Sequence, residues 1–267
     1  MKEKLVEIYK QNIGNAKTQK VSSGIMSGSK KPIMVSGLLS LDSEIEINPL
    51  WGAKFKLDEE GMIKALEMLG DRIDKMSEND KKLIMRFIQE IYRTTEDYLG
   101  GHGNTQIRGK RYLEAEDGCL SLSDIQGEQI GVCAERTAMA QQMMAVLEKE
   151  GVLANYTTFI TNSYITTDTR EPHSFIILKH NTDSTKQYLF DIENLLKYKP
   201  TNEAQEIFGE AFYPMTEQEF KDFQEGKSLC LKSIYEHFGM TVVDKPRFYG
   251  YEEVKQNQKN LNNGENR

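Results

Sequence analysis

The feature that most constrains this chain is a cysteine placed where a glycine-containing turn meets a long helical pattern. Gly131 precedes Cys133, and apolar side chains then recur at helical spacing over residues 134–150. Gly151 follows as a residue suited to end a helix. The sequence therefore predicts that Cys133 lies at the start of a long helix.

A predicted β-hairpin further along the chain carries an imidazole and a carboxylate. Strands are predicted at residues 174–179 and 186–192, joined by a polar turn at residues 181–185. His173 directly precedes the first strand, and Asp191 lies at the end of the second. Because the second strand of a hairpin runs back along the first, both residues are predicted at the same edge of a sheet.

A thiol, an imidazole and a carboxylate in this order are typical of nucleophilic catalysis by cysteine. The thiolate is the nucleophile, and the positive end of a helix dipole favours it at Cys133. His173 could take up and return a proton, while Asp191 would fix its tautomer and orientation. Backbone N–H groups at the helix start could bind an oxyanion. We therefore predict that Cys133, His173 and Asp191 form a catalytic site.

The same segment resembles the transglutaminase-like core of the papain-like cysteine enzymes. The resemblance rests on a Gly-x-Cys-x-Glu-x-x-Ala motif that begins at Gly131, followed by His173 before a strand and Asp191 at the end of the next, and it covers residues 127–194. It implies an α+β fold in which the helix of the nucleophile packs on an antiparallel sheet, with accessory helices. It also implies that Cys133 is the nucleophile, His173 the general base and acid, and Asp191 the orienting carboxylate.

The chain departs from this family at two points. An aromatic residue two places after the histidine is often tryptophan in the family, but here it is Phe175, and the only tryptophan is Trp51. The partner of the Cys133 backbone in an oxyanion hole is therefore open, and Gln126 and Gln129 are both candidates.

The resemblance implies a reaction class but no single substrate. Family members include cross-linking enzymes, proteases, amidases and deamidases, and some members have lost activity. We expect thiol-dependent acyl transfer or hydrolysis at an amide of a protein or peptide, through a thioester on Cys133 and without a cofactor or metal. The acceptor, water or an amine, stays open. The alternative is a non-catalytic interaction domain that keeps the fold.

A zinc-dependent deaminase is a weaker alternative. Residues 133–138 match the first half of the cytidine deaminase zinc site, which also needs a Pro-Cys-x-x-Cys pair. No such pair exists, because the only cysteines are Cys119, Cys133 and Cys230. Glu135, which would be the proton shuttle in a deaminase, is expected instead to favour the helix dipole or to pair with Arg136 or another neighbour.

Each candidate residue also has a structural interpretation. Cys133 could be a small buried hydrophobic residue, and His173 a surface histidine that follows a proline. Asp191 could cap a helix that contains Leu195 and Leu196. His102, in a glycine-rich stretch that we interpret as a helix terminator, is a weaker candidate for the imidazole because it precedes the cysteine.

Composition limits the remaining possibilities. The net charge of −7 and a pI near 5.3 argue against nucleic-acid binding as the main task. No apolar stretch is long enough to span a bilayer, so no membrane insertion is expected. The first residues do not form a signal peptide, and three cysteines without a framework pattern suit a reducing compartment. We expect a soluble cytoplasmic protein, or one exported by a signal that is not recognisable, of undetermined oligomeric state.

The chain divides into four predicted parts. These are an N-terminal extension at residues 1–57, a helical segment at residues 58–100, the catalytic core with C-terminal helices at residues 101–252, and a disordered tail at residues 253–267. The other predicted elements are helices at 1–13, 58–75, 77–99, 205–223 (in pieces separated by Tyr213 and Pro214) and 226–239, a flexible loop at 14–31, a strand at 153–160 and a polar loop at 163–172.

Overall fold

The computed structural model describes residues 1–21, 32–48, 52–101, 103–165, 171–192 and 212–225, and all structural statements here concern those residues. This part of the chain is a mixed α and β structure, as predicted. Its helices are α1 (Lys2–Ile13), α2 (Glu59–Asp74), α3 (Ile84–Leu99), α4 (Thr105–Glu114), α5 (Cys133–Glu150) and α6 (Glu217–Gln224). Its strands are β1 (Lys20–Val21), β2 (Ile33–Ser36), β3 (Glu44–Asn48), β4 (Ala53–Lys56), β5 (Cys119–Ser121), β6 (Tyr156–Ile165), β7 (Glu171–His180), β8 (Gln187–Phe190) and β9 (Phe212–Met215).

The strands form two sheets. The smaller sheet has the order β1-β3-β4-β5, with parallel pairing at both ends and an antiparallel pair in the middle. The larger sheet has the order β2-β6-β7-β8-β9 and is antiparallel throughout. The predicted hairpin is thus present, and β7 and β8 are its two strands.

Helix α5 is the centre of the structure. Its side chains from Ala134 to Leu147 are buried all around the helix, which explains why it shows no clear polar face. It packs against β6 and β7 of the larger sheet and against α1, α2 and α3. The predicted helix is confirmed and begins one residue earlier, at Cys133; Gly151 ends it in the left-handed conformation, with φ of 97°.

Both faces of the larger sheet are covered, and β7 shows this by alternation. Ile176 and Leu178 belong to the main core, which also contains α5. Phe175 and Ile177 belong to a second apolar cluster, together with residues of α6 such as Phe223. Because successive side chains of a strand point to opposite faces, a strand covered on both sides needs an unbroken apolar run.

Several of the predicted elements differ from the structure at their boundaries. The strand predicted from residue 153 begins at Tyr156, because a turn after Gly151 occupies residues 151–155. The loop predicted at residues 163–172 is wrong at both ends, since β6 and β7 remain paired as far as Ile165 and Glu171. Pairing across the sheet here overrides the polar composition that suggested a loop.

The helix predicted at residues 77–99 starts only at Ile84, and a short 3₁₀ helix, Asp80–Lys82, precedes it. The sequence predicts helical pieces on either side of Tyr213 and Pro214 in residues 205–223, but Phe212–Met215 form strand β9, which pairs with β8. Pro214 is tolerated there because β9 is the edge strand of the sheet, where a missing N–H need not leave an acceptor unpaired.

The helices predicted at residues 1–13 and 58–75 are confirmed as α1 and α2. Residues 22–31 of the predicted flexible loop, the predicted helix at 226–239 and the predicted tail at 253–267 lie outside the described residues. None of the helices that the structure describes has both the length and the apolar character needed to cross a membrane.

Candidate active site

The candidate nucleophile lies at the first position of α5. Val132 has an extended conformation and precedes the helix, and Cys133 is its first residue. The Cys133 side chain is partly exposed, whereas Ala134 and the residues that follow are buried. The free N–H groups of the first turn have no intrahelical acceptor, which leaves donors beside the sulfur. Cys133 is therefore the point at which a buried helix becomes accessible.

His173 and Asp191 are directly hydrogen bonded. The His173 Nε2 atom lies 2.7 Å from Asp191 Oδ2, and both side chains are buried, at 8% and 5% exposure. His173 is in the first part of β7, and Asp191 follows the last residue of β8. Because Nε2 is engaged with the carboxylate, Nδ1 is the ring nitrogen that remains for Cys133.

The electrostatics of His173 connect all three predicted residues. Burial by itself lowers the pKa of this histidine, but the charge of Asp191 and hydrogen bonds to Asp191 and Cys133 raise it well above its usual value. These interactions therefore favour the protonated form of the ring. The structure thus brings Cys133, His173 and Asp191 together. The helix that Asp191 could have capped lies outside the described residues.

The raised pKa of His173 gives a testable prediction for Asp191→Asn. Removing the carboxylate charge should lower the pKa of His173, because that charge is the main cause that raises it. A histidine whose pKa is higher in the folded state stabilises the protein below its unfolded pKa of about 6.5, and this stability is lost as the pH rises through the folded value. The variant should therefore be less stable than wild type near pH 6, and the difference should shrink at alkaline pH.

Proton NMR of the histidine ring resonances, with His173→Gln for assignment, measures the first effect, and thermal unfolding across pH measures the second. If His173 titrated at the same pH in wild type and in Asp191→Asn, the inferred interaction between His173 and Asp191 would be contradicted.

An aromatic cluster supports the histidine ring. The Phe175 ring lies 6.1 Å from the His173 ring and 5.9 Å from the Phe223 ring of α6, measured between centroids. Phe175 is completely buried and offers no hydrogen-bond donor. It therefore acts here as an apolar wall that limits how the imidazole can rotate.

The sequence suggested Arg136 or another neighbour as a partner of Glu135. In the structure, Glu135 pairs with residues of α4. The Arg108 Nε and the Tyr112 hydroxyl donate to Glu135 Oε1 at 2.8 and 2.9 Å, and the Val132 N–H donates to Oε2 at 3.2 Å. Glu135 is completely buried, and its charge is compensated by Arg108. Three donors therefore fix this carboxylate in the first turn of α5.

Sequence reasoning missed Arg108 and Tyr112. They are four residues apart, so they share one face of α4. This spacing was the only available signal, and it does not identify a partner that is more than twenty residues away in the chain.

Arg136 fastens the turn before Cys133 to the end of α3. Its Nε donates to the Gly131 carbonyl at 2.9 Å, and its terminal nitrogens contact the Glu96 carboxylate and the Gly101 carbonyl. Arg136 is completely buried, and it has the largest side chain among the fully buried residues. The Arg136 guanidinium therefore joins the turn that precedes Cys133 to the end of α3.

Two glycines allow this close approach. Gly100 ends α3 with φ of 77°, and a Cβ atom there would lie 2.6 Å from the Gly127 carbonyl oxygen. A Cβ atom on Gly103 would lie 2.4 Å from the Gly131 oxygen. The interpretation of the glycine-rich stretch as a helix terminator is thus confirmed. His102 lies outside the described residues.

The two glutamines considered for the oxyanion hole, Gln126 and Gln129, both have exposed side chains. Gln129 adopts a left-handed backbone with φ of 57°, held by hydrogen bonds between its N–H and the Leu99 carbonyl and between its carbonyl and the Asn104 N–H. Such a conformation is costly for a residue other than glycine and is often found next to functional sites. The choice between the two glutamines stays open.

The part of the chain that the structure describes contains no group of three His, Cys, Asp or Glu side chains that could hold a metal ion. Cys230 lies outside that part. The chain matches no family model, no curated protein and no solved structure. Its function is therefore inferred from the geometry around Cys133.

Proposed function

We propose that this protein is a cysteine-dependent hydrolase or acyltransferase that acts on an amide of a protein or peptide. The observation that carries the proposal is the position of His173, which is hydrogen bonded to Asp191 and interacts electrostatically with Cys133 at the start of a buried helix. A thiol, an imidazole and a carboxylate in this order provide a nucleophile, a proton carrier and an orienting group.

The fold that we propose for this site is a transglutaminase-like, papain-like core. In support, α5 packs on an antiparallel sheet, His173 lies on a central strand of that sheet, and Asp191 directly follows the neighbouring strand. The helices α1, α2 and α3 pack around this arrangement as accessory elements.

The first half of the proposed reaction forms a thioester. The Cys133 thiolate attacks the amide carbonyl carbon, and the carbonyl oxygen takes up the negative charge beside N–H groups of the first helical turn. The His173 imidazolium then donates its proton to the amide nitrogen, and the carbon–nitrogen bond breaks. The leaving group is ammonia or an amine, and Cys133 is acylated.

The second half releases the acyl group. Neutral His173 takes a proton from water or from an amine, and the resulting nucleophile attacks the thioester carbonyl. The carbon–sulfur bond breaks, and the Cys133 thiolate and the His173 imidazolium are regenerated. Water gives hydrolysis or deamidation, and an amine gives cross-linking.

Alkylation tests the proposal without knowledge of the substrate. Limited iodoacetamide treatment near neutral pH, followed by peptide mapping, ranks Cys119, Cys133 and Cys230 by reactivity. We expect Cys133 to react first, because it lies at the start of α5 within reach of the proton carrier His173, whereas burial raises the pKa of the Cys119 thiol. His173→Gln should remove this preference and leave the rate at Cys119 unchanged. Equal labelling of all three thiols, or a preference for Cys230, would count against the proposal.

A further inference from the structure

Arg108 presents unused hydrogen-bond donors near the first turn of α5, which carries the candidate nucleophile. Its Nε is bound to Glu135, and its guanidinium carbon lies 5.5 Å from the centre of the Tyr112 ring. Neither terminal nitrogen has a hydrogen-bond acceptor among the residues that the structure describes, and the side chain keeps 15% exposure. Two parallel N–H donors of a guanidinium match the two oxygens of a carboxylate.

The position of this guanidinium is fixed by its partner. Glu135 is in the first turn of α5, and its carboxylate accepts a hydrogen bond at 3.2 Å from the Val132 N–H, which belongs to the residue directly before Cys133. Arg108 is hydrogen bonded to Glu135 at 2.8 Å. Burial lowers the pKa of Arg108, but the charge of Glu135 and, to a smaller extent, that of Cys133 raise it above its usual value. Arg108 is therefore charged and within electrostatic reach of the sulfur.

In the ion pair of Arg108 and Glu135, the negative charge is more deeply buried than the positive charge. Glu135 is completely buried, and its carboxylate already accepts three hydrogen bonds, so it presents no free face to a ligand. Arg108 is the partly exposed member of the ion pair. A ligand that reaches Cys133 would therefore meet the cation and not the carboxylate behind it.

We propose that Arg108 binds a carboxylate of the substrate beside Cys133, so that the substrates of this site are acidic peptides. This inference rests on the proposed function of Cys133. The carboxylate would come from a side chain of the peptide or from its C-terminus, and either one would complete the donors of the guanidinium fork.

Two alkylating reagents that differ in charge test this directly. Iodoacetate carries a carboxylate and iodoacetamide does not, so the ratio of their rates at Cys133 measures anion preference and cancels differences in thiol reactivity. In wild type, the ratio should be higher in the folded protein than in the urea-unfolded chain. Arg108→Gln should lower the folded ratio about fivefold, which corresponds to the loss of roughly 1 kcal/mol, and Arg108→Lys should retain most of it.

The chain offers two matched controls. Arg111→Gln removes the same charge from the same helix, but Arg111 is exposed and paired with Glu128. The ratio of iodoacetate to iodoacetamide rates at Cys133 in this variant should therefore equal that of wild type. The ratio of the two alkylation rates at Cys119, measured in each protein, reveals changes that do not originate at the site. If Arg108→Gln fails to fold because Glu135 loses its partner, the Arg108→Gln/Glu135→Gln double variant removes both charges together.

An unchanged ratio in a folded variant that lacks the Arg108 charge would overturn the proposal. So would a wild-type ratio no higher in the folded than in the unfolded chain. Two short peptides distinguish a side-chain carboxylate from a C-terminal carboxylate by how well each protects Cys133 from iodoacetamide. One peptide has a glutamate and an amidated C-terminus, and the other has a glutamine and a free C-terminus. Because alkylation needs no turnover, a changed ratio in a protein without amide chemistry would leave Arg108 as an anion site and reject only the proposed function.

Discussion

Cys133→Ala is expected to reduce amide turnover to the background rate, a loss on the order of 10⁶-fold if the reaction depends on a covalent intermediate. The variant lacks the sulfur atom on which the thioester is proposed to form. The side chain is partly exposed and small, so the free energy of unfolding should change by less than about 1 kcal/mol. Release of ammonia or amine from a peptide substrate, measured together with thermal unfolding, separates the two effects.

Cys119→Ala is the matched control for this prediction. Cys119 is also a free, partly exposed cysteine, but it lies on β5 in the smaller sheet. Its loss should leave turnover unchanged. Equal turnover in wild type and Cys133→Ala would exclude the thioester and favour a non-catalytic role for the fold. A loss of turnover accompanied by unfolding would instead indicate that Cys133 is a structural residue.

The parts of this structure that could be predicted from sequence are those whose signal is local. Helix α5 has helical spacing and a terminal glycine, and the hairpin of β7 and β8 has two apolar runs around a polar turn. Once these elements are assigned, the geometry of a hairpin brings His173 and Asp191 to one edge. The candidate site could therefore be predicted although its three residues are far apart in the chain.

The parts that could not be predicted depend on contacts between distant segments. Strand β9 was not predicted, because its pairing with β8, and not its composition, determines its conformation. Glu135 and Arg136 are adjacent and opposite in charge, which suggested that they pair. In the helix they point to different sides, and each binds a partner from another element, Arg108 for one and Glu96 for the other.

Arg136→Met should destabilise the protein by about 3–5 kcal/mol, the usual cost of breaking a buried ion pair. Arg136 is completely buried, and its removal leaves the carbonyls of Gly131 and Gly101 without these donors and Glu96 without its cation. Glu96 keeps 23% exposure and can be partly hydrated, which places the expected loss nearer the lower value. Urea unfolding measures it.

Arg111→Met is the control, since it removes the exposed ion pair with Glu128 and should cost no more than about 1 kcal/mol. The two variants also differ in their expected effect on the site. The turn that leads to Cys133 is held by Arg136 through the Gly131 carbonyl, so Arg136→Met should slow alkylation of Cys133 under conditions in which the variant is still folded. If Arg136→Met lost no more stability than Arg111→Met, the guanidinium would not be what joins the end of α3 to the start of α5. The position of Cys133 would then depend on the close glycine contacts between the two loops.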